Sequence, residues 1–263
     1  MSGLRGKTAI VTGGGSGIGA ATTRALAAAG ARLAVWDIDG AAAEAVADEI
    51  EGARAYTVDV SDRAQVDAAS AAVLDDFGSL GVLVNNAGIG TANTIEQMPV
   101  ADWQRVIDIN LGGPFHCTQA AIPALKVDGG AIVNIASIAG KRISYHGGVN
   151  YTAAKSGLLG LTRHAAFELA QYGIRVNAVC PGPVLTPMVE SVTDAAARAV
   201  TAGMVPLGQW VMPDDVARCV VFLAGSDAAM CTGASFDVDG GMMVSNGTPY
   251  AAYMAHRTQG EAS

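Results

Sequence analysis

The chain has 263 residues, of which 51% are hydrophobic and 15% charged, with 16 Lys and Arg against 24 Asp and Glu. That length suits one large core, so residues 1–263 are expected to form a single domain, and the apolar surplus fits subunits that pack together. The formal charge of −8 argues against nucleic acid or an anionic membrane surface as a partner, since both demand clustered cations.

Residues Met1 to Lys7 run directly into Thr8 to Thr12, too short and too early an apolar stretch for a signal peptide, so no export is expected. Gly, Asp, Arg or Gln interrupts each Ala-rich stretch before it reaches the roughly eighteen residues of a membrane span. Thr8 to Thr12 reads as the first strand. It delivers Thr12-Gly13-Gly14-Gly15-Ser16-Gly17-Ile18-Gly19 and then a helix over about 17–29. Glycines let backbone approach a pyrophosphate closely, and a helix start offers unpaired N–H groups at its positive dipole end. A strand before and a helix after distinguish this loop from a bare glycine turn. The second strand, Arg32 to Asp37, ends in Asp37-Ile38 about twenty residues past the glycines. Asp37 can accept from adenosine ribose hydroxyls and repels a 2′-phosphate. With Ser16 and Ile38 where a cation would be needed, NAD(H) is favoured over NADP(H).

A helix over about 40–50, a strand Ala55 to Val58 and a helix over about 62–77 follow, with Asp59-Val60 just past the strand. The fourth strand, Val82 to Asn85, runs into Asn86-Ala87-Gly88. Small size and fixed polar groups suit these residues to an adenine pocket and the back wall of a cofactor. A helix over about 99–125 contains Asn110, a poor helix former, which points to a distorted turn or a held water. The fifth strand, Ala131 to Ala136, leads to Ser137, whose hydroxyl can donate to a carbonyl oxygen. A helix over about 150–172 opens with Tyr151-Thr152-Ala153-Ala154-Lys155, placing phenol and ammonium one turn apart on one face. An ammonium that close favours the phenolate, so Lys155 is expected to lower the pKa of Tyr151. Taken alone this spacing is ordinary for an amphipathic helix; Ser137 and Asn110 corroborate it.

Past the sixth strand, Arg175 to Val179, the segment at about 182–212 breaks the rhythm with Pro, Gly and a short helical patch, as a mobile lid over a substrate would. A helix over about 213–224 and a strand Ser235 to Val238 complete the pattern. The tail, 242–263, is read either as docking on a neighbouring subunit or as fraying. Seven strands alternating with helices specify an α/β doubly wound (Rossmann) fold, with a mainly parallel sheet covered on both faces. Ligands are then expected at the carboxyl ends of the strands. Cys117, Cys180, Cys219 and Cys231 lack C-x-x-C spacing, so no metal site and no disulfide framework is expected, which fits a reducing cytoplasm.

These motifs, in this order, resemble the short-chain dehydrogenase/reductase family in its single-domain form with a Tyr-x-x-x-Lys signature, over residues from about 5 to 241. Thr12 to Gly19 match its T-G-x-x-x-G-x-G loop, Asn85 to Gly88 its N-N-A-G motif, and Asn110, Ser137, Tyr151 and Lys155 its catalytic tetrad. The resemblance implies that Pro181-Gly182 form the family's Pro-Gly motif and that Thr186 holds the nicotinamide carboxamide with help from backbone at Val184. It further implies that Lys155 holds the nicotinamide ribose, that Asn110 anchors a proton-relay water, and that the protein is a homotetramer. One departure is that Ser137 and Tyr151 stand fourteen positions apart, one more than the family pattern, so the loop from Lys141 to Asn150 carries an insertion.

For alcohol oxidation the Tyr151 phenolate is expected to take the hydroxyl proton while hydride passes to the nicotinamide and Ser137 steadies the oxygen. The expected walls, Ile89 to Thr94, Ile138 to Val149, Pro183 to Met188 and the lid to Met212 with Trp210, are apolar with few cations. They favour a neutral, largely apolar secondary alcohol or ketone, cyclic or aryl. Lys141, Tyr145 and His146 are read as solvated loop residues able to meet a polar group, and His116 and His164 as ordinary helix residues. Two alternatives stand beside this reading. A 3-oxoacyl-(acyl-carrier-protein) reductase calls for an NADPH-binding cation and a basic docking patch, neither of which is evident. A non-catalytic NAD-binding scaffold has no need of the tetrad.

Overall fold

The computed structural model describes residues 3–144, 147–245 and 248–259. Among these, seven strands form one sheet: β1 (Thr8–Thr12), β2 (Arg32–Asp37), β3 (Arg54–Thr57), β4 (Val82–Asn85), β5 (Gly130–Ile135), β6 (Ile174–Pro181) and β7 (Ser235–Val238). Their order is β3-β2-β1-β4-β5-β6-β7 and every pairing is parallel. The chain reverses its direction of travel across the sheet between β1 and β4, and the crevice above those two carboxyl ends is where such sheets take ligands.

The helices are α1 (Gly17–Ala28), α2 (Gly40–Asp48), α3 (Arg63–Phe77), α4 (Val100–Ile107), α5 (Gly113–Asp128), α6 (Val149–Leu169), α7 (Pro187–Val192), α8 (Ala195–Met204), α9 (Pro213–Ala224) and α10 (Tyr250–Gln259). Alternation along the strands sends Val11, Val35, Val84, Val133 and Val179 into one core with Leu26 of α1 and Val216, Val220 and Leu223 of α9. Their neighbours Ile10, Trp36, Leu83, Ile132 and Val176 go to the opposite face, against Val73 of α3, Leu125 of α5 and Leu169 of α6. Each such side chain contributes about 1.5–3 kcal/mol by leaving water. The sheet is therefore pinned from both sides, and its strand ends stay put.

Local signals set the helix ends. The Asp62 carboxylate accepts from the N–H of Ala64 at 2.9 Å to start α3, and Gly78, with φ of 74°, ends it. The expected helix over 99–125 is instead two helices joined by a π turn, Asp108–Gly112, centred on Asn110, and the second helix runs on to Asp128. β6 continues two residues beyond the expected Val179, because Cys180 and Pro181 pair with Asp237 and Val238 of β7.

The segment expected to form a lid carries its own hydrogen bonds. Its base closes through a parallel bridge between Val184 and Val211, with Leu185 N–H on the Val211 carbonyl at 2.9 Å and Val211 N–H on the Pro183 carbonyl at 3.0 Å. Within it, the Arg198 guanidinium donates to the Thr193 carbonyl at 2.7 Å and the Trp210 indole to the Arg198 carbonyl at 2.9 Å. The described part of the tail forms α10, which contacts α8 of the lid. Among the described residues no helix is long and apolar enough to cross a membrane.

Candidate active site

Close packing shapes the glycine loop after β1. Gly13 and Gly17 have φ of +61° and +50°, and a Cβ on Gly19 would stand 1.9 Å from the Gly13 carbonyl oxygen. The Asn86 amide donates to the carbonyls of Thr12 at 2.9 Å and Gly13 at 3.0 Å, so it braces the loop and leaves Ala87 and Gly88 as open wall. The Thr12 hydroxyl accepts from the N–H groups of Asn86 and Ala87, both at 3.0 Å. α1 starts at Ser16 with no side-chain cap and no acidic residue in its first turn. A helix end left without a carboxylate fits a bound pyrophosphate, which would lie over Ser16 to Gly19.

Asp37 stands at the end of β2. One of its oxygens accepts from Gly15 N–H at 2.9 Å and the other from Asp39 N–H at 3.0 Å, which orients the carboxylate and leaves lone pairs for ribose hydroxyls. Ile38 beside it is 67% exposed. The Asp59 carboxylate turns onto Ser61, accepting from its N–H at 2.9 Å and its hydroxyl at 2.6 Å. Val60 is buried, with its carbonyl bonded to the His116 ring at 3.1 Å.

On the other side of the crevice, Ser137 follows β5. Its hydroxyl oxygen accepts from Ala139 N–H at 3.0 Å, which fixes the side chain and leaves its proton for a second acceptor. Burial pushes the Tyr151 phenol above its usual range, and the Ser137 hydroxyl pulls it back. Lys155, expected to add to that pull, stands one helical turn along α6. Its ammonium lies 5.6 Å from the Tyr151 ring centroid and donates to the Ile135 carbonyl at 2.8 Å. That spacing brings it over the ring, with one of its three N–H donors on Ile135 and two left over. Burial lowers Lys155 itself to about 8.

Asn110 is fully buried in the π turn. Its amide closes a pair of hydrogen bonds with Ile89, donating to the carbonyl and accepting from the N–H, both at 2.8 Å. Of the two roles expected of it, the distorted turn is present. A Cβ at Gly88 would meet Asn110 Oδ1 at 3.3 Å and Lys155 Nζ at 3.6 Å, so Gly88 marks where the two side chains converge.

Gly182, after Pro181, donates to the Val238 carbonyl at 2.9 Å. The Thr186 hydroxyl caps α7 by accepting from Val189 N–H at 3.3 Å, and its own N–H meets the Val184 carbonyl at 3.1 Å. The Thr186 methyl lies 3.4 Å from where a Gly17 Cβ would stand, so the base of the lid rests against the glycine loop. Lys141 is exposed, as expected of a loop residue, and pairs with Asp237 at 2.5 Å; Tyr145 and His146 lie outside the described residues. His164 pairs with Glu168 on the surface of α6. No His, Cys, Asp and Glu cluster among the described residues could hold a metal. Nothing in the sequence pattern singles out Asn150, fully buried beside Tyr151, because its partners Thr91 and Asp102 lie 59 and 48 residues away.

A family model described as enoyl-(acyl carrier protein) reductase matches residues 13–243. The chain is 38% identical over 246 residues to the 3-oxoacyl-(acyl-carrier-protein) reductase of Thermotoga maritima, covering 92% of this chain and 99% of that one. It is 42% identical over 246 residues to the 3-alpha-(or 20-beta)-hydroxysteroid dehydrogenase of Mycobacterium bovis, with 92% and 91% covered. Among solved structures, a short-chain type dehydrogenase/reductase from Mycobacterium marinum matches with a TM-score of 0.86 at 34% identity, over 92% of this chain and 98% of that one. Similarity that runs unbroken from the glycine loop to the turn after the last strand places the chain in the short-chain dehydrogenase/reductase family, whose oxidoreductases work with a nicotinamide dinucleotide.

Proposed function

We propose that the chain is an NAD(H)-dependent oxidoreductase interconverting a secondary alcohol and a ketone, with a neutral, largely apolar substrate of cyclic or aryl type. The observation that carries this is the grouping of a Ser137 hydroxyl aimed by Ala139 N–H, a Tyr151 phenol whose pKa Ser137 lowers, and the Lys155 ammonium 5.6 Å from the phenol ring. The nicotinamide, when bound, supplies the carbon that accepts or returns hydride. Tyr151 accepts the carbinol proton in oxidation and returns it in reduction. Ser137 donates to the substrate oxygen, which discriminates in favour of the developing carbonyl geometry. Lys155 stands as the cation near the phenolate, and Asn110, locked to Ile89, holds the floor of the site at Gly88.

Asp37 supports NAD over NADP, because a carboxylate held at the end of β2 would repel a 2′-phosphate. Ile143 and Met188, 83% and 77% exposed on the expected substrate walls, support an apolar substrate, as does the hydroxysteroid dehydrogenase relative. The Thermotoga relative and the family model favour a second reading, an acyl-carrier-protein ketoreductase. The Asp37 carboxylate and the charge of −8 weigh against its NADPH and its acidic carrier. Exposed Phe115 on α5 and Phe167 on α6 support a homotetramer, and four free cysteines support a cytoplasmic setting.

The test follows reduced-nicotinamide absorbance, with NAD and NADP offered in parallel to cyclohexanol, a phenylethanol and a straight-chain secondary octanol. Turnover is expected with NAD. In Tyr151→Phe it should fall by roughly 10²–10⁴, the range for a lost general base, while NADH still binds. A preference for NADP would overturn the Asp37 reading, retained turnover in Tyr151→Phe would overturn the role of the phenol, and no turnover with any of the three alcohols would overturn the substrate class.

A further inference from the structure

We propose that Asn150 is a positioning residue that ties Tyr151 to the substrate wall at Thr91, so that phenol and wall hold one geometry; this rests on the reading of Tyr151 above. α6 begins without a side-chain cap at Gly148, which leaves the first N–H groups of the helix in search of partners. Asn150, in the first turn and fully buried, answers for one of them: its Oδ1 accepts from the Tyr151 N–H at 2.8 Å. Its Nδ2 reaches the other way, donating to the Thr91 hydroxyl at 2.9 Å and the Asp102 carbonyl at 3.1 Å, with the Met98 sulfur at 3.3 Å. The Thr91 hydroxyl returns a bond to Asn150 Oδ1 at 3.2 Å, and Gly148 N–H donates to the Thr91 carbonyl.

One amide thereby joins the backbone of Tyr151 to the loop after β4 and to α4. A planar group with every polar atom engaged has no slack, and a Cβ on the adjacent Gly148 would meet Asn150 Oδ1 at 2.9 Å and Met98 at 2.8 Å, so the backbone there cannot drift either. Thr91 belongs to the loop that lies against the Tyr151 ring, since a Cβ on Gly90 beside it would stand 3.7 Å from that ring. Displacing a general base by even an ångström costs rate rather than cofactor affinity, because the dinucleotide is held at the far side of the crevice by the glycine loop and Asp37.

The experiment compares wild type, Asn150→Ala, Thr91→Val, the double variant and Tyr151→Phe. It measures turnover with whichever of the three alcohols reacts fastest and NADH affinity by fluorescence titration. We expect kcat to fall about tenfold or more in each single variant, with NADH affinity within about twofold of wild type, and the double variant to be no slower than the worse single one. Single variants that keep wild-type kcat, losses that multiply in the double variant, or NADH affinity that falls in step with kcat would each overturn the proposal. If Asn150→Ala does not fold, Thr91→Val, which removes one hydroxyl, decides by the same criteria. An active Tyr151→Phe would bring down the reading of the phenol; an inactive Tyr151→Phe beside fully active Asn150 and Thr91 variants would bring down this inference alone.

Discussion

Lys155 is an ammonium enclosed by protein, and replacing it by methionine should make the cofactor-free protein more stable while removing its activity. Burial lowers its pKa from 10.5 to about 8. Each unit represents about 1.4 kcal/mol, so folding around the charged form carries a penalty of about 3 kcal/mol. Methionine fills a similar volume without charge. It leaves the Ile135 carbonyl, which now accepts from Nζ at 2.8 Å, short of one donor, at a loss of about 1 kcal/mol. The balance for Lys155→Met is about 2 kcal/mol of added stability near pH 7, a rise in Tm of about 4–8 °C for a chain of this size. The pH dependence has a definite sign. Between the folded pKa near 8 and the unfolded value of 10.5 the unfolded chain binds more protons, so the wild type gains stability as pH rises through that window. The advantage of the variant is fully present below the window and shrinks across it. Thermal melts of both proteins at matched concentration, without cofactor, at about pH 7 and about pH 9.5 measure the difference. A variant that melts below the wild type near neutrality, or an advantage indifferent to pH, would refute the assignment of Lys155 as a buried, destabilising cation.

Two further outcomes follow from the packing of the site. Gly19→Ala puts a methyl 1.9 Å from the Gly13 carbonyl oxygen, so the loop must open. NADH affinity by fluorescence titration should drop at least roughly tenfold and stability by about 1–3 kcal/mol, and unchanged affinity would count against the loop as the pyrophosphate cradle. Asn110→Leu strands the N–H and carbonyl of Ile89, about 1 kcal/mol for each partly buried group, and should lower Tm by about 4–8 °C. Asn110→Ala leaves room for a bridging water and should lose less; calorimetry that ranks the two the other way removes the Ile89 clamp from the account.

Where a signal is carried by adjacent residues, the sequence is read correctly to the residue. β1, β2, β4 and β7 begin and end where their β-branched runs do, and α9 starts at Pro213, whose missing N–H costs nothing at a first helical position. The glycine loop and the Tyr151–Lys155 spacing are of the same local kind. Boundaries shift where a partner strand decides: the edge strand β3 slides to Arg54–Thr57, and β6 lengthens because β7 reaches it from more than fifty residues away. Long-range polar contacts are invisible in the same way. Asn110 betrays itself as an unsuited helix residue, but its attachment to Ile89 does not show, nor does the commitment of Lys141 to Asp237 across 96 residues. Within the segment expected to form a lid, the bonds of Arg198 and Trp210 to backbone carbonyls are likewise encoded by no local pattern.

Five polar groups of the site share one property that bears on how its specificity can change. Ser137 is aimed by the N–H of Ala139, Lys155 by the carbonyl of Ile135, Asn110 by both groups of Ile89, Asn86 by the carbonyls of Thr12 and Gly13, and Asp37 by the N–H of Gly15. Backbone partners survive any substitution that leaves the strand ends in place, so these five groups keep their aim, whereas Tyr151 depends on the side chains of Asn150 and Thr91. The apolar residues on the expected substrate walls, Ile143 and Met188 among them, are exposed, and the geometry of the reacting groups does not depend on them. Substituting those two should therefore change which alcohol is turned over fastest while leaving NADH affinity where it was. The reverse pattern, in which cofactor affinity moves and substrate preference does not, would place them at the dinucleotide instead of the substrate.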